Sequence, residues 1–284
     1  MIPSAFDYVA PTTVDDAIRA LAEAGEDGKV LAGGQSLLPV LRMRLAAPSK
    51  LIDLNRIPEL RGVREDGDAL VIGAMTTHYE VQRDPMVREH ALLLAMATDT
   101  VADPQVRHRG TFGGSLAHAD PAGDLLAPAL AMDAEFVVSG MDGRRTIPAA
   151  EFFVDYFTTA MRPGEILLEV RVPKYTGWSA HYEKFNRVAQ AWSMVGVAAA
   201  IRVDGGAIAE ARVGLTNMAS TPVRARTVEE ALVGQPATAE AIRAAAEHAA
   251  DGTSPISDGN ADAEFRQHLA RVLTGRAVAA AAGA

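Results

Sequence analysis

The chain has 284 residues, longer than most single domains and short for three, so two modest domains or one domain with a large appendage are expected. Hydrophobic residues make up 49% of it and charged residues 22%, a globular balance that excludes a disordered polyelectrolyte. The formal net charge of -9 argues against a nucleic-acid or anionic-lipid face, without excluding a local basic patch. The chain contains no cysteine, which removes disulfides, thiolate zinc sites, iron–sulfur ligation and cysteine nucleophiles. No run approaches the ~18 apolar residues of a membrane span. Met1-Ile2-Pro3-Ser4-Ala5-Phe6-Asp7 lacks the basic start and apolar centre of a secretory signal, so a cytoplasmic location is expected.

In chain order, Thr12-Thr13 precedes the helical period Val14, Ala17, Ile18, Leu21, which Gly25 ends. A short strand at 29–31 breaks at Ala32-Gly33-Gly34-Gln35-Ser36. Residues 37–43 follow as a helix, with Pro39 in its first turn. Buried strands are expected at 51–54 and 70–72, and an apolar helix at about 89–101, stopped before Asp103-Pro104. Arg109-Gly110-Thr111-Phe112-Gly113-Gly114-Ser115 then leads to Asp120-Pro121, which reads as N-cap and first residue of a helix over 122–131, kinked or short because of Pro128. Strands follow at 135–138 and 166–172, and Gly177-Trp178-Ser179 marks a domain boundary. Beyond it come strands near 180–187, 196–203 and 207–215, the last two joined by an Asp204-Gly205-Gly206 hairpin turn. Helices starting near 226, 238 and 261 complete the chain, and alanine-rich residues 277–284 read as a frayed tail. No fixed-period repeat occurs.

Two glycine-rich segments, 32–36 and 110–115, lead towards predicted helices. Each reads as a tight turn, or as a place where backbone amides approach a phosphate. Two such loops in one chain, the second with Thr111, Ser115 and acidic residues nearby, favour a nucleotide. Neither Gly-x-Gly-x-x-Gly after a strand nor a P-loop is present, so an ordinary Rossmann or P-loop site is unsupported. Gly34-Gln35-Ser36-Leu37-Leu38 is not a nucleophile elbow, because the second glycine is Leu38. The seven histidines show no metal spacing, and His108 and His118 read as ligand contacts or as polar loop residues.

Ala32-Gly33-Gly34-Gln35-Ser36-Leu37-Leu38-Pro39 resembles the first flavin motif of the FAD-binding medium subunits of molybdenum hydroxylases, the family of aerobic carbon monoxide dehydrogenase and xanthine dehydrogenase. The run Asp103-Pro104-Gln105-Val106-Arg107-His108-Arg109-Gly110-Thr111-Phe112-Gly113-Gly114-Ser115, continuing to Asp124, resembles the second motif almost throughout. Gly164-Glu165-Ile166-Leu167-Leu168-Glu169-Val170, Tyr182-Glu183-Lys184-Phe185-Asn186-Arg187 and Asn217-Met218-Ala219-Ser220-Thr221-Pro222 also match, in the family's order. The resemblance implies an α+β chain. A two-subdomain FAD-binding fold of the vanillyl-alcohol-oxidase (PCMH) type would cover 1–176, divided at about residue 55. A C-terminal domain with a small antiparallel sheet and helices would cover 177–284.

It further implies non-covalent FAD. Ala32, Gly33, Gly34, Gln35, Ser36 and Leu37 would hold the pyrophosphate, with Thr111, Gly114 and Ser115 approaching from the second loop. Asp124 would bond the adenosine end, while Leu167 and Lys184 would sit by the isoalloxazine. Asp124 also reads simply as a first-turn acid favoured by the helix dipole. Trp192 falls where an aromatic commonly meets the flavin, or is a core or interface tryptophan. Three positions depart from the family pattern: Ser115 stands where Asn is frequent, Ala191 where Asp often precedes the aromatic, and Gln35 at a variable position. No catalytic acid or base and no metal ligand is expected on this chain. The implied partners are a large subunit with the molybdenum cofactor and a small subunit with two 2Fe–2S clusters, as a dimer of heterotrimers, with an external electron acceptor. The function implied is electron transfer from those clusters through FAD. A stand-alone flavin oxidase and a non-redox nucleotide-binding module are the rival readings.

Overall fold

The computed structural model describes residues 2–284. Its first unit comprises β1 (Asp7–Val9), α1 (Val14–Ala24), β2 (Gly28–Leu31), α2 (Leu37–Arg42) and β3 (Lys50–Asp53). The strands lie in the order β1-β3-β2, all parallel, with Val9 and Val30 both opposite Ile52. Thr13 caps α1 by accepting from the Asp16 amide, and Gly25 ends it at φ 60°. The face Val14, Ala17, Ile18 and Leu21 is buried against this sheet, as the period required.

The second unit opens with β4 (Val63–Asp66), β5 (Ala69–Gly73), α3 (His78–Arg83), α4 (Pro85–His90), α5 (Leu92–Asp99) and α6 (Pro104–Arg107). It continues through α7 (Phe112–His118), α8 (Leu126–Ala131), β6 (Glu135–Gly140), β7 (Gly143–Pro148) and α9 (Ala149–Phe152). The small pair β8 (Phe153–Asp155) and β9 (Thr158–Thr159) precedes β10 (Ile166–Pro173). The main sheet runs β4-β5-β10-β6-β7, antiparallel throughout.

Three sequence expectations change here. The helix expected at 89–101 is two helices, because Ala91 leaves helical geometry at φ -144° and ψ 46°. The helix expected from Pro121 begins only at Leu126, with Pro128 in its first turn. Asp120 instead closes a turn: its side chain accepts from the Ala122 amide at 3.0 Å and its carbonyl from the Gly123 amide at 2.8 Å. Asp124 is therefore not a first-turn acid. In the second glycine segment, helix starts at Phe112, so Gly113 and Gly114 are helical.

The C-terminal unit holds β11 (Ser179–Phe185), β12 (Val195–Asp204), β13 (Ala207–Thr216), β14 (Val223–Arg224), α10 (Arg226–Leu232), α11 (Ala239–Ala246) and α12 (Ala263–Ala282). Its sheet is antiparallel in that strand order. Gly205 and Gly206, at φ 57° and 82°, form the two-residue turn between β12 and β13. β12 is buried on both faces. Ala198 and Ala200 join the core of the second unit, while Val195, Val197, Ala199 and Ile201 face α12. The expected frayed tail is the end of α12, where Ala277, Val278 and Ala281 are buried; the alanines there pack against a core, and small side chains permit the close approach.

Candidate functional site

The two glycine segments meet. A Cβ added at Gly33 would stand 2.3 Å from the Arg109 carbonyl oxygen and 2.9 Å from the Thr111 nitrogen, so only glycine allows this contact. Gly34 lies at φ 75°, and a Cβ on Gly114 would reach Thr111 Oγ1 at 2.5 Å and Ala32 Cβ at 3.2 Å. The first segment is braced from behind. Asn55 Nδ2 donates to the Ala32 carbonyl at 3.1 Å and to Asp53 Oδ1 at 2.6 Å, and the Tyr8 hydroxyl donates to Asp53 Oδ2 at 2.5 Å.

The segments differ in what their amides do. Among the described residues, the amides of 33–37 donate to no protein acceptor, while Gly34 and Ser36 carbonyls accept the bonds that start α2. In the second segment the Phe112 and Gly113 amides donate to the Thr76 and Ala74 carbonyls at 2.8 and 2.9 Å, and the Gly114 amide to Thr111 Oγ1 at 3.2 Å. The first segment is thus a run of unpaired donors, the arrangement that holds an anion. The second is a buttress in which residues 110–113 are buried and Gly114 and Ser115 half-buried.

Asp124 and Lys184 come together. Lys184 Nζ donates to Asp124 Oδ2 at 2.7 Å and to the Thr100 carbonyl at 3.0 Å, with both side chains almost fully buried. Asp124 Oδ1 accepts from Ser193 Oγ at 2.6 Å and from the Tyr182 hydroxyl at 3.0 Å. Burial pushes the Asp124 carboxyl above the ordinary carboxylate range, opposed by the Lys184 ammonium and the Ser193 and Tyr182 hydroxyls. Burial beside that carboxylate also holds the Tyr182 phenol well above its usual value. Asp124 and Lys184, which the resemblance assigns to the adenosine and isoalloxazine ends respectively, are joined in the structure as one ion pair.

Leu167, at 5% exposure, belongs to the core of the second unit. Trp192 is 55% exposed on the lip of a cleft of about 540 Å³ that it shares with Tyr156, Phe157, Arg187 and Ile256. The cleft reaches Ser193 and residues 120–122, but none of 32–37 or 111–115. Its floor is pinned by the buried Arg266, which donates to the Met194 carbonyl and pairs with Asp258 at 2.9 Å. His108 is stacked on Tyr79 and bonded through Nδ1 to the Pro104 carbonyl at 2.6 Å, while His118 tilts against Phe157. Sequence reasoning passed over Asn55, Ser193, Thr100 and Arg266 as site residues. No local pattern marks them, because each acts through a contact distant in sequence.

This geometry is that of a protein of mixed helix and sheet with a run of amides free to hold an anion. Residues 4–175 match the family model of the FAD-binding domain in molybdopterin dehydrogenase, and residues 180–281 match that of the carbon monoxide dehydrogenase flavoprotein C-terminal domain. The chain belongs to this family, the FAD-binding medium subunits of carbon monoxide dehydrogenase and xanthine dehydrogenase type. It is similar to the carbon monoxide dehydrogenase medium chain of Hydrogenophaga pseudoflava, 43% identical over 99% of this chain and 98% of that one. It is also similar to the 6-hydroxypseudooxynicotine dehydrogenase complex subunit alpha of Paenarthrobacter nicotinovorans, 36% identical over 99% and 96%. Among solved structures, quinoline 2-oxidoreductase from Pseudomonas putida 86 aligns with a TM-score of 0.95 at 32% identity, over 100% of this chain and 99% of that one. No helix among the described residues is long and apolar enough to cross a membrane.

Proposed function

We propose that the chain is the FAD-carrying electron-transfer subunit of a heteromeric molybdenum hydroxylase. It links 2Fe–2S clusters of a small partner subunit to an external acceptor, and the molybdenum cofactor sits on a large subunit, the whole forming a dimer of heterotrimers. The observation that carries this reading is the run of unpaired amides at 33–37, clamped by Asn55 and by the second glycine segment. FAD, when bound, supplies reversible uptake and release of electrons. The residues do the rest. Amides of 33–37 and the Ser36 hydroxyl hold the pyrophosphate, and Thr111, Gly114 and Ser115 close the groove. The Asp124–Lys184 pair fixes one end of the cofactor, Leu167 supports it from the core, and Trp192 covers the ring at the cleft.

Having no cysteine, the chain cannot itself supply thiolates for the clusters. Relatives of closely similar fold carry the names of unlike substrates, which supports substrate choice on another chain. The test is to purify the holoprotein, record its visible spectrum and denature it in acid. A flavin spectrum with yellow colour released to the supernatant is expected; colour left in the pellet would point to a covalent bond, through His108 or His118. Co-purification of two unlike subunits is the further expectation, and a colourless chain would defeat the reading.

A further inference from the structure

The loop of residues 186–194 joins β11 to β12, and its character changes between Trp192, at the surface, and Ser193 and Met194, which are buried. The Met194 amide closes the loop by donating to the Phe185 carbonyl at 2.8 Å. Three other polar groups of the buried pair go to three different elements. Ser193 Oγ donates to Asp124 at 2.6 Å, the Ser193 carbonyl accepts from Asn217 Nδ2 at 2.8 Å, and the Met194 carbonyl accepts from Arg266 of α12. Asn217 follows directly on β13 and lies at φ 62°, a left-handed position that asparagine tolerates better than most residues. There its own amide donates to the Pro121 carbonyl at 2.9 Å while its side chain reaches Ser193. Pro121 and Ser193 both line the cleft of about 540 Å³, so one residue ties together two walls that belong to different units. Arg266 is fully buried on the α12 face that also buries Leu269, Ala270 and Leu273. An apolar side chain would serve that core as well, without the loss of hydration. The bonds of Arg266 leave the core instead, for the Met194 carbonyl and for Asp258 at 2.9 Å.

We propose that Asn217 and Arg266 are positioning residues for the flavin, acting through Trp192. By holding the Ser193 and Met194 carbonyls they fix the backbone that carries the indole, and the Asn217 bridge to Pro121 fixes the width of the cleft beside it. The proposal rests on the functional reading above, which puts the flavin ring at Trp192. A loop already ordered in the free protein does not have to be ordered when FAD binds, so the two anchors favour binding without touching the ring. A residue that only ended β13 would need the left-handed backbone alone, which glycine supplies. The Nδ2 bond to Ser193 exceeds that need, as the Arg266 bonds exceed the need of a core.

The test uses the FAD-loaded complex. Asn217→Gly keeps the left-handed backbone and its bond to Pro121 but deletes the bond to Ser193, whereas Asn217→Asp sets a carboxylate against that carbonyl. Arg266→Met and Arg266→Lys form a second pair. Asn217→Gly and Arg266→Met should each weaken FAD binding by roughly three- to tenfold, the net worth of one hydrogen bond. Tryptophan quenches flavin emission by donating an electron to the excited ring, so both should also lengthen the flavin fluorescence lifetime towards that of Trp192→Ala. Asn217→Asp should act more strongly, and Arg266→Lys should recover part of the loss. In a Trp192→Ala background none of these changes should alter the lifetime further, which separates action through Trp192 from general loosening. In the full chain without FAD and carrying Trp178→Phe, Trp192 is the single tryptophan, and Asn217→Gly should lower its fluorescence anisotropy. Wild-type affinity and lifetime in Asn217→Gly overturn the proposal, as does a lifetime change that persists in the Trp192→Ala background. If the Arg266 variants fold poorly, Asn217→Gly decides. A flavin lifetime indifferent to Trp192→Ala itself defeats the placing of the ring at Trp192, and the inference with it, so the two failures are distinguishable.

Discussion

His78 shows how far a single buried group can couple the site to pH. It lies beneath the second glycine segment, its amide donating to the Gly110 carbonyl at 3.0 Å and its Nδ1 without a partner. Burial, with Arg107 nearby, pushes its pKa from 6.5 down to about 4. Between those values the unfolded chain binds the extra proton, so His78 contributes a loss of stability as pH falls from 6.5 to about 4 and nothing further outside that window. The loss amounts to about 3 kcal/mol at 1.36 kcal/mol per pK unit. Urea unfolding of the wild type and His78→Leu across this range should differ in slope by up to one proton; parallel curves would refute the assignment. Asp124 makes a second case. Asp124→Ala strands the Lys184 ammonium in the interior and should cost roughly 3–5 kcal/mol along with FAD affinity, whereas Asp124→Ala with Lys184→Met should recover much of the stability. Both residues were legible one at a time through their motifs. Their partnership was not, because a bond between positions 124 and 184, completed by Ser193 and Tyr182, leaves no trace in local spacing.

Elements were legible where periodicity and punctuation agreed. The Thr13 cap, the Val14–Leu21 stripe and the Gly25 stop identified α1, and Gly205-Gly206 identified the β12–β13 turn. They were illegible where a tertiary contact took over a local signal. Asp120-Pro121 has the chemistry of a helix start, yet the chain turns there and delivers Asp124 to its buried partners before α8 begins. The glycines at 113 and 114 look like loop residues but allow α7 to pass within contact of Ala74 and Ala32. Their tolerance should reflect this. In Gly33→Ala the new Cβ meets backbone atoms of residues 109–111, so the two segments must separate, and FAD retention should collapse. Gly34→Val should do the same through a different cause, a branched side chain at φ 75° pressed against Leu31 and Leu38. Flavin content after gel filtration reads both; wild-type occupancy in either variant would show that the loop contact does not hold the cofactor.

On the scale of the whole molecule, β12 makes the FAD-binding and C-terminal units depend on one another, with Ala198 and Ala200 in one core and Val197 and Ile201 in the other. Gly214 reinforces the junction, since a Cβ there would stand 2.5 Å from the Ala127 carbonyl of α8. The end of α12 belongs to this packing, so deletion of residues 277–284 exposes the surface that Val278, Ala277 and Ala281 bury. A loss of roughly 3 kcal/mol is expected from the methyl and methylene groups involved, visible as a lowered urea midpoint. The same economy of groups bears on activity. Asp124 has both oxygens committed to Lys184, Ser193 and Tyr182, and Lys184 is committed to Asp124 and Thr100. The acid and the base buried at the candidate site are thus occupied with each other, and neither is poised to take a proton from a substrate. The isolated chain with FAD should therefore show no dehydrogenase activity towards N-heterocycles, aldehydes or carbon monoxide when an artificial electron-accepting dye is supplied. Dye reduction should begin only when the molybdenum and iron–sulfur subunits are added, and those subunits should raise the thermal midpoint of this chain by binding its folded form. Rapid dye reduction by the chain alone would make it a self-sufficient flavin oxidase, with a substrate base that the Asp124 network does not provide.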